Sequence, residues 1–130
     1  MSDKSETFKT DYARVHGLGS AKDGTHHWWL QRLTAIALAL LAPFFIWPLA
    51  ANLGTSFEEV RAAYASPWNA IVAGLFVITA FFHLNLGNRV VIEDYIHNKG
   101  LRTALLVASS GFCALMAFAG VFAIFKLALG

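Results

Sequence analysis

His83 lies within an uncharged apolar run, Ala70 to Leu86, in the string Phe81-Phe82-His83-Leu84-Asn85-Leu86-Gly87. An imidazole at membrane depth is costly unless something pairs with it, so by default it marks function. Neutral imidazole is also the commonest metal ligand, haem iron included. Three chemistries are open to such a residue: axial ligation of a haem, a hydrogen bond to a neighbouring helix, and proton relay. No other histidine falls within an apolar run of this chain. A haem held by two histidines would therefore take its second ligand from another polypeptide.

The spacing around His83 narrows these options. Gly87 follows four residues later and shares its helix face. A glycine one turn away removes a side chain that would block a flat, bulky group such as a porphyrin. Asp94 and Tyr95 follow eleven and twelve residues after His83. Eleven residues are about three turns, so in an unbroken helix Asp94 falls on nearly the same face, about 16 Å further along. A tyrosine hydroxyl donates to a carbonyl oxygen and a carboxylate relays protons. Quinone reduction needs both services, with an apolar slot for the isoprenoid tail. The plainer alternative is a charged helix end with an aromatic anchor, since Arg89, Glu93 and His97 lie close by.

Arg32, in the string Trp28-Trp29-Leu30-Gln31-Arg32-Leu33-Thr34-Ala35, is read at the same membrane level as Asp94. Its guanidinium can snorkel to lipid phosphate. Alternatively it can bind a haem propionate or act on a bound quinone by charge. His26 and His27 are weaker candidates, and His16 has no supporting context. Cys113 is the only cysteine, so it has no partner for an internal disulfide and reads as a small thiol within a helix.

These residues need elements to hold them, and the composition says which. The 130 residues are 57% hydrophobic and only 14% charged, against roughly 25% charged in soluble domains. Charges are almost absent from Leu33–Leu53, Ala70–Leu86 and Thr103–Phe125. A spanning helix needs about 20 apolar residues, so each stretch reads as one membrane span. The first is not expected to be a cleaved signal peptide: it follows a polar tail, and its apolar core exceeds the usual length of roughly 7–15 residues. The net charge of +2 carries no nucleic-acid signal, because the basic residues flank spans rather than form a patch. No nucleic-acid partner is expected.

Eight of the ten Lys and Arg residues fall in the N-terminal tail and the second connection, and two, Arg61 and Lys126, fall on the other side. The positive-inside rule then puts the N-terminus in the cytoplasm and the C-terminus outside. With Trp68 entering from outside, His83 is about 22 Å in, in the cytoplasmic half.

The chain divides into a polar tail, 1–24, and a three-helix membrane region, 25–130, with helices at about 27–53, 68–97 and 101–127. Thr25 or a neighbour is expected to cap the first helix, and Pro43 and Pro48 to fall within it. Phe57 to Arg61 reads as a short surface helix, and Pro67 as the start of the second span. Asn98-Lys99-Gly100 reads as a helix stop.

Together these segments resemble the hydrophobic membrane-anchor subunit of succinate dehydrogenase (respiratory complex II), the smaller D-type anchor. The resemblance rests on His83 with Gly87, the Asp94–Tyr95 pair, and Arg32 with Thr34 and Ala35. It also rests on the tail Arg14-Val15-His16-Gly17-Leu18-Gly19-Ser20-Ala21-Lys22 followed by His27-Trp28-Trp29. It implies an all-α membrane protein in the bacterial inner (cytoplasmic) membrane, packing with a second, C-type three-helix anchor and binding one haem b between the two. It implies His83 as one axial ligand, with Arg32 near the propionates. It implies Tyr95 hydrogen-bonded to the ubiquinone carbonyl, with Asp94 in the proton path. The anchors would dock an iron–sulfur subunit and a flavoprotein that oxidises succinate, linking the tricarboxylic acid cycle to the respiratory chain. Two other functions stay open: an anchor of another quinone-linked oxidoreductase such as fumarate reductase, and a haem-free scaffold or proton-relay subunit.

Overall fold

A computed structural model describes residues 21–130, with side chains described from Gly24 onward. Four helices follow one another: α1 (Ala21–Ala51), α2 (Phe57–Tyr64), α3 (Pro67–Tyr95) and α4 (Lys99–Leu129). Three of them are long and apolar enough to cross a membrane. The 29 residues of α3 extend for about 43 Å, more than a hydrocarbon core of about 30 Å. The expected polar tail therefore falls mostly outside the described residues, and its last few residues join α1.

α3 is the central helix. It packs against α1 on one side and α4 on the other, while α2 touches α3 and α4. α1 and α3 run antiparallel, since residues near the start of α1 meet residues near the end of α3. In the half where α1 ends and α3 begins, Phe45 stacks on Phe76 with centroids 4.1 Å apart, and Phe44 meets Trp68 edge-on. On the other side, a Cβ placed on Gly120 of α4 would lie 2.8 Å from a methyl of Val77, so this glycine sets how closely α4 approaches α3.

Few of the described residues are buried: Tyr64, Val72, Ala73, Leu86 and Cys113 are, and so is the polar Thr34. Large apolar side chains such as Leu40, Ile71, Val107 and Phe118 face outward from all three spans. In water this would be unstable; in lipid, or against partner helices, it is the expected surface. The exposed Trp28 and Trp29 stand at one end of the bundle, and Trp47 and Trp68 stand at the other, as an aromatic belt requires.

The short connections carry local signals. Gly54, at φ +80°, turns the chain after α1 in a conformation that L side chains rarely adopt. Ser56 then caps α2 through a capping box: its hydroxyl accepts from the Glu59 N–H, and the Glu59 carboxylate accepts from the Ser56 N–H at 2.8 Å. Pro67 opens α3 as expected. α1 continues through Pro43 and Pro48, and the Asn52 amide donates to the Pro48 carbonyl at 2.7 Å.

Two expectations about helix ends are corrected. Thr25 lies inside α1, not at its cap; threonine costs a helix only about 0.7 kcal/mol or less, too little to stop it. Asn98-Lys99-Gly100 starts a helix rather than ending one. α3 ends at Tyr95, and Ile96 takes an extended conformation. The Asn98 side chain then accepts from the Leu101 N–H at 3.0 Å, capping α4. Gly100 has no left-handed φ and sits in the first turn of α4.

Candidate functional site

His83 projects from α3 onto α1, where it meets Thr34 and Gln31. Its Nδ1 lies 2.8 Å from the Thr34 Oγ1. Its Nε2 lies 3.4 Å from the Gln31 side-chain nitrogen. Thr34 and Gln31 are three residues apart, so they share the face of α1 that packs on α3. The Thr34 oxygen also stands 2.8 Å from the Leu30 carbonyl and 3.1 Å from that of Gln31, one turn back. Thr34 is 9% exposed, so this small polar group sits at the centre of the α1–α3 contact.

The Gln31 Oε1 is the one buried side-chain polar atom among the described residues with no hydrogen-bond partner. A buried carbonyl without a donor costs about 1–3 kcal/mol, so its environment is incomplete as it stands. Gly87 lies against the same amide: a Cβ there would meet the Gln31 nitrogen at 3.7 Å, an ordinary contact. The glycine thus leaves room beside Gln31 rather than an open slot beside His83. Beyond Gln31 a cavity of about 440 Å³ opens between the two helices, lined by Gly24, His27, Trp28, Gln31, Arg89 and Glu93, among others. Arg89 and Glu93 form an ion pair at 3.0 Å, a surface pair one turn apart on α3.

The remaining site residues are placed as follows. Because α3 is unbroken from Pro67 to Tyr95, Asp94 lies about three turns below His83, as its spacing requires. Asp94 and Tyr95 close the helix and are exposed, Tyr95 by 75%. Arg32 is exposed too, with its guanidinium carbon 5.6 Å from the Trp28 ring centroid. Its depth differs from the sequence expectation. The contact of Thr34 with His83 fixes an antiparallel register in which Arg32 is level with residues 85–86 of α3. That is about 13 Å from the level of Asp94, so Arg32 belongs to the depth of His83. His26 stands exposed near the start of α1, and His27, next to it, lines the cavity. His16 lies outside the described residues. Cys113 is buried within α4, as a structural thiol would be.

Gln31 and Thr34 had no assigned role in the sequence reading. The available signal was a polar pair three residues apart at the entry of an apolar helix, at the depth of the only intramembrane histidine. Without the pairing register of the helices, nothing tied that pair to His83.

Among the described residues no three His, Cys, Asp or Glu side chains come together. A haem, however, would need only one axial nitrogen from this chain. The donor set fits that need once the Gln31 amide swings aside: an imidazole whose Nδ1 is engaged by a hydroxyl at 2.8 Å and whose Nε2 has only a long contact, 3.4 Å, to the Gln31 nitrogen. Arg32 stands at the same depth to meet an acidic substituent.

The match to known proteins agrees with this architecture. Residues 6–125 match the family model described as succinate dehydrogenase/fumarate reductase transmembrane subunit. The chain is 37% identical over 116 residues to the succinate dehydrogenase hydrophobic membrane anchor subunit of Paracoccus denitrificans, covering 89% of each chain. It is 37% identical over 118 residues to the subunit of the same name from Rickettsia bellii, covering 91% of this chain and 94% of the relative. The corresponding membrane anchor subunit of Reclinomonas americana is 30% identical over 84 residues, 62% of this chain and 70% of the relative. No solved structure gives a significant match. The chain belongs to the succinate dehydrogenase/fumarate reductase transmembrane subunits, and within them to the hydrophobic membrane anchors of succinate dehydrogenase.

Proposed function

We propose that this anchor supplies His83 as one axial ligand of a haem b shared with a second, C-type anchor, and forms part of a ubiquinone-reduction site with Tyr95 and Asp94. The observation that carries this reading is the polarity of the His83 environment. One ring nitrogen is held by Thr34 at 2.8 Å, and the other has only a long contact, 3.4 Å, to the Gln31 amide nitrogen, which a ligand could displace. Bound there, a haem would supply a one-electron carrier within the membrane. Arg32, at the same depth and exposed, is suited to pair with its propionates.

At the end of α3, the exposed Tyr95 hydroxyl can donate to a quinone carbonyl oxygen while the neighbouring Asp94 carboxylate passes protons from the aqueous side. Their exposure suits a site completed by other subunits: the iron–sulfur subunit that delivers electrons, and the flavoprotein behind it that oxidises succinate. The charge asymmetry supports a cytoplasmic position for this end; as in the bacterial relatives the resemblance points to, the spans would lie in the inner membrane, with lipid against the outward-facing apolar side chains.

The test is the visible spectrum of the purified complex. A b-type α-band on reduction that is largely lost in His83→Ala supports the assignment. An unchanged band in that variant places the ligands elsewhere. One observation favours a second reading, a haem-free scaffold. Rotating the Gln31 amide by half a turn would put its oxygen opposite the His83 Nε2, where an Nε2–H would satisfy it. A wild-type complex without haem would select that alternative. Midpoint potentials measured with different quinones would separate succinate oxidation from fumarate reduction, because potentials depend on the surrounding groups.

A further inference from the structure

We infer that Thr34 is the positioning residue that commits His83 to the tautomer able to bind iron; this rests on the haem reading above. Imidazole ligates through a lone pair, so the nitrogen facing the metal must carry no proton, and the other ring N–H needs an acceptor. Thr34 has a single hydroxyl hydrogen and three oxygen or nitrogen neighbours within reach: the carbonyls of Leu30 and Gln31, and the His83 Nδ1. The two carbonyls can only accept. Donation to Leu30, at 2.8 Å within the helix, uses the hydroxyl hydrogen and leaves the oxygen lone pairs facing Nδ1. The ring then donates from Nδ1–H to Thr34, and Nε2 presents its lone pair.

The opposite arrangement, with Thr34 donating to Nδ1, leaves both carbonyls without this hydroxyl hydrogen and puts a proton on Nε2. It also points that proton at the Gln31 –NH2, donor against donor, unless the amide turns over. Thr34 therefore acts as a relay: it takes the ring proton and hands its own to the backbone of α1. The same contact fixes the ring plane, because the hydroxyl is buried and its rotamer is tied to the preceding turn of the helix.

Three variants of the complete purified complex test this. Thr34→Val keeps the shape and removes the hydroxyl; Thr34→Ser keeps the hydroxyl; His83→Ala reports ligation itself. The readouts are the haem-to-flavin ratio, haem retention against a competing apo-haem protein, and the haem midpoint potential by optical potentiometry. Loss of an outer-shell partner typically weakens metal binding about 10- to 100-fold. Thr34→Val should therefore lose haem to the competitor at least about tenfold more readily. Its midpoint potential should also rise, because a ring without an acceptor at Nδ1 donates less electron density and favours the reduced metal. Thr34→Ser should restore both values. If Thr34→Val does not assemble, judged by membrane-bound flavin, Thr34→Ala takes its place as a better helix former. Unaltered retention and potential in the hydroxyl-free variant, with His83→Ala lacking haem, would overturn the role of Thr34 and leave the ligation reading standing. A wild-type complex without haem would end both.

Discussion

The two long seams of the bundle solve the same problem differently. Both must hold polar side chains away from water. Between α3 and α4, the Asn88 amide donates to Ser109 at 3.1 Å, and the Ser110 hydroxyl donates to the Asn85 carbonyl oxygen at 3.1 Å. Each contact joins one amide to one hydroxyl, and no polar atom there is left buried without a partner. Between α1 and α3, His83 has a firm contact to Thr34, a long one to Gln31, and beside them an orphaned carbonyl oxygen above a cavity. The first seam pairs its polar atoms one to one and serves adhesion, with mostly apolar-lined clefts of about 300 and 190 Å³ along it. The second leaves one polar atom, the Gln31 Oε1, unpaired beside His83. Buried polar groups are rarely left unpaired without a reason, and the incomplete seam is the one to which the proposed function assigns His83.

The largest effect should come from His83→Ala. Loss of most of the b-type absorbance is expected, while the flavin content of the membranes changes less. A similarly large loss of haem from a variant in the other seam, such as Asn88→Ala, would erase the distinction between the two. Next comes Tyr95→Phe. Removing one hydrogen bond to a reacting carbonyl should lower quinone reductase activity by roughly tenfold or more. Succinate oxidation by a soluble artificial acceptor should be preserved, since the proposed function gives that chemistry to the flavoprotein and not to Tyr95. Equal turnover with quinone would leave Tyr95 as an interface anchor only.

Much of this was readable from residue types. The three spans followed from where charges are missing, and each lies within a few residues of its observed position because lipid tolerates little else. His83 stood out because it is the only imidazole in an apolar run. What sequence could not supply was register. Arg32 was put at the level of Asp94 by counting from an assumed membrane surface, whereas the Thr34–His83 contact puts it near His83. The same ignorance of register hid Gln31 and Thr34, which are unremarkable on α1 alone. Helix ends failed for a local reason: Asn and Gly between two helices suit a stop or a start equally, and only the backbone conformation at Ile96 and Asn98 decides.

A mutation in the α3–α4 seam should affect stability without affecting cofactor chemistry. Gly120→Ala places a methyl 2.8 Å from the Val77 side chain, and Val is stiff at χ1. Overpacking of this kind costs about 1–3 kcal/mol. Faster thermal inactivation of the assembled complex is expected, with an unchanged haem potential. A shifted potential would show that the two seams are coupled through α3. The complementary change, Gln31→Met, removes the orphaned oxygen and keeps the length of the side chain. Little or no loss of thermal stability is expected, because removing an unpaired buried oxygen relieves its desolvation cost and offsets the loss of the long Gln31–His83 contact.

The smallest effect belongs to α2, outside the spans. The Ser56 backbone N–H and hydroxyl, both donating to Glu59, hold its carboxyl below the ordinary value of 4.5. A carboxyl lowered in the folded state stabilises the cap above its unfolded value. That contribution is lost as the pH falls below 4.5 and through the lower folded value. Hydrogen exchange in the first turn of α2 should accordingly quicken on acidification. Ser56→Ala should give roughly fivefold faster exchange there at neutral pH, and Glu59→Gln should flatten the acid dependence while keeping most of the cap, since glutamine also completes a capping box. Neither substitution should disturb the haem spectrum, because α2 packs on α3 and α4 and lies outside the seam that holds His83. A spectral change on breaking this cap would mean that the His83 seam depends on the connection between the first two spans, and that its unpaired polar atom is not a local property of α1 and α3.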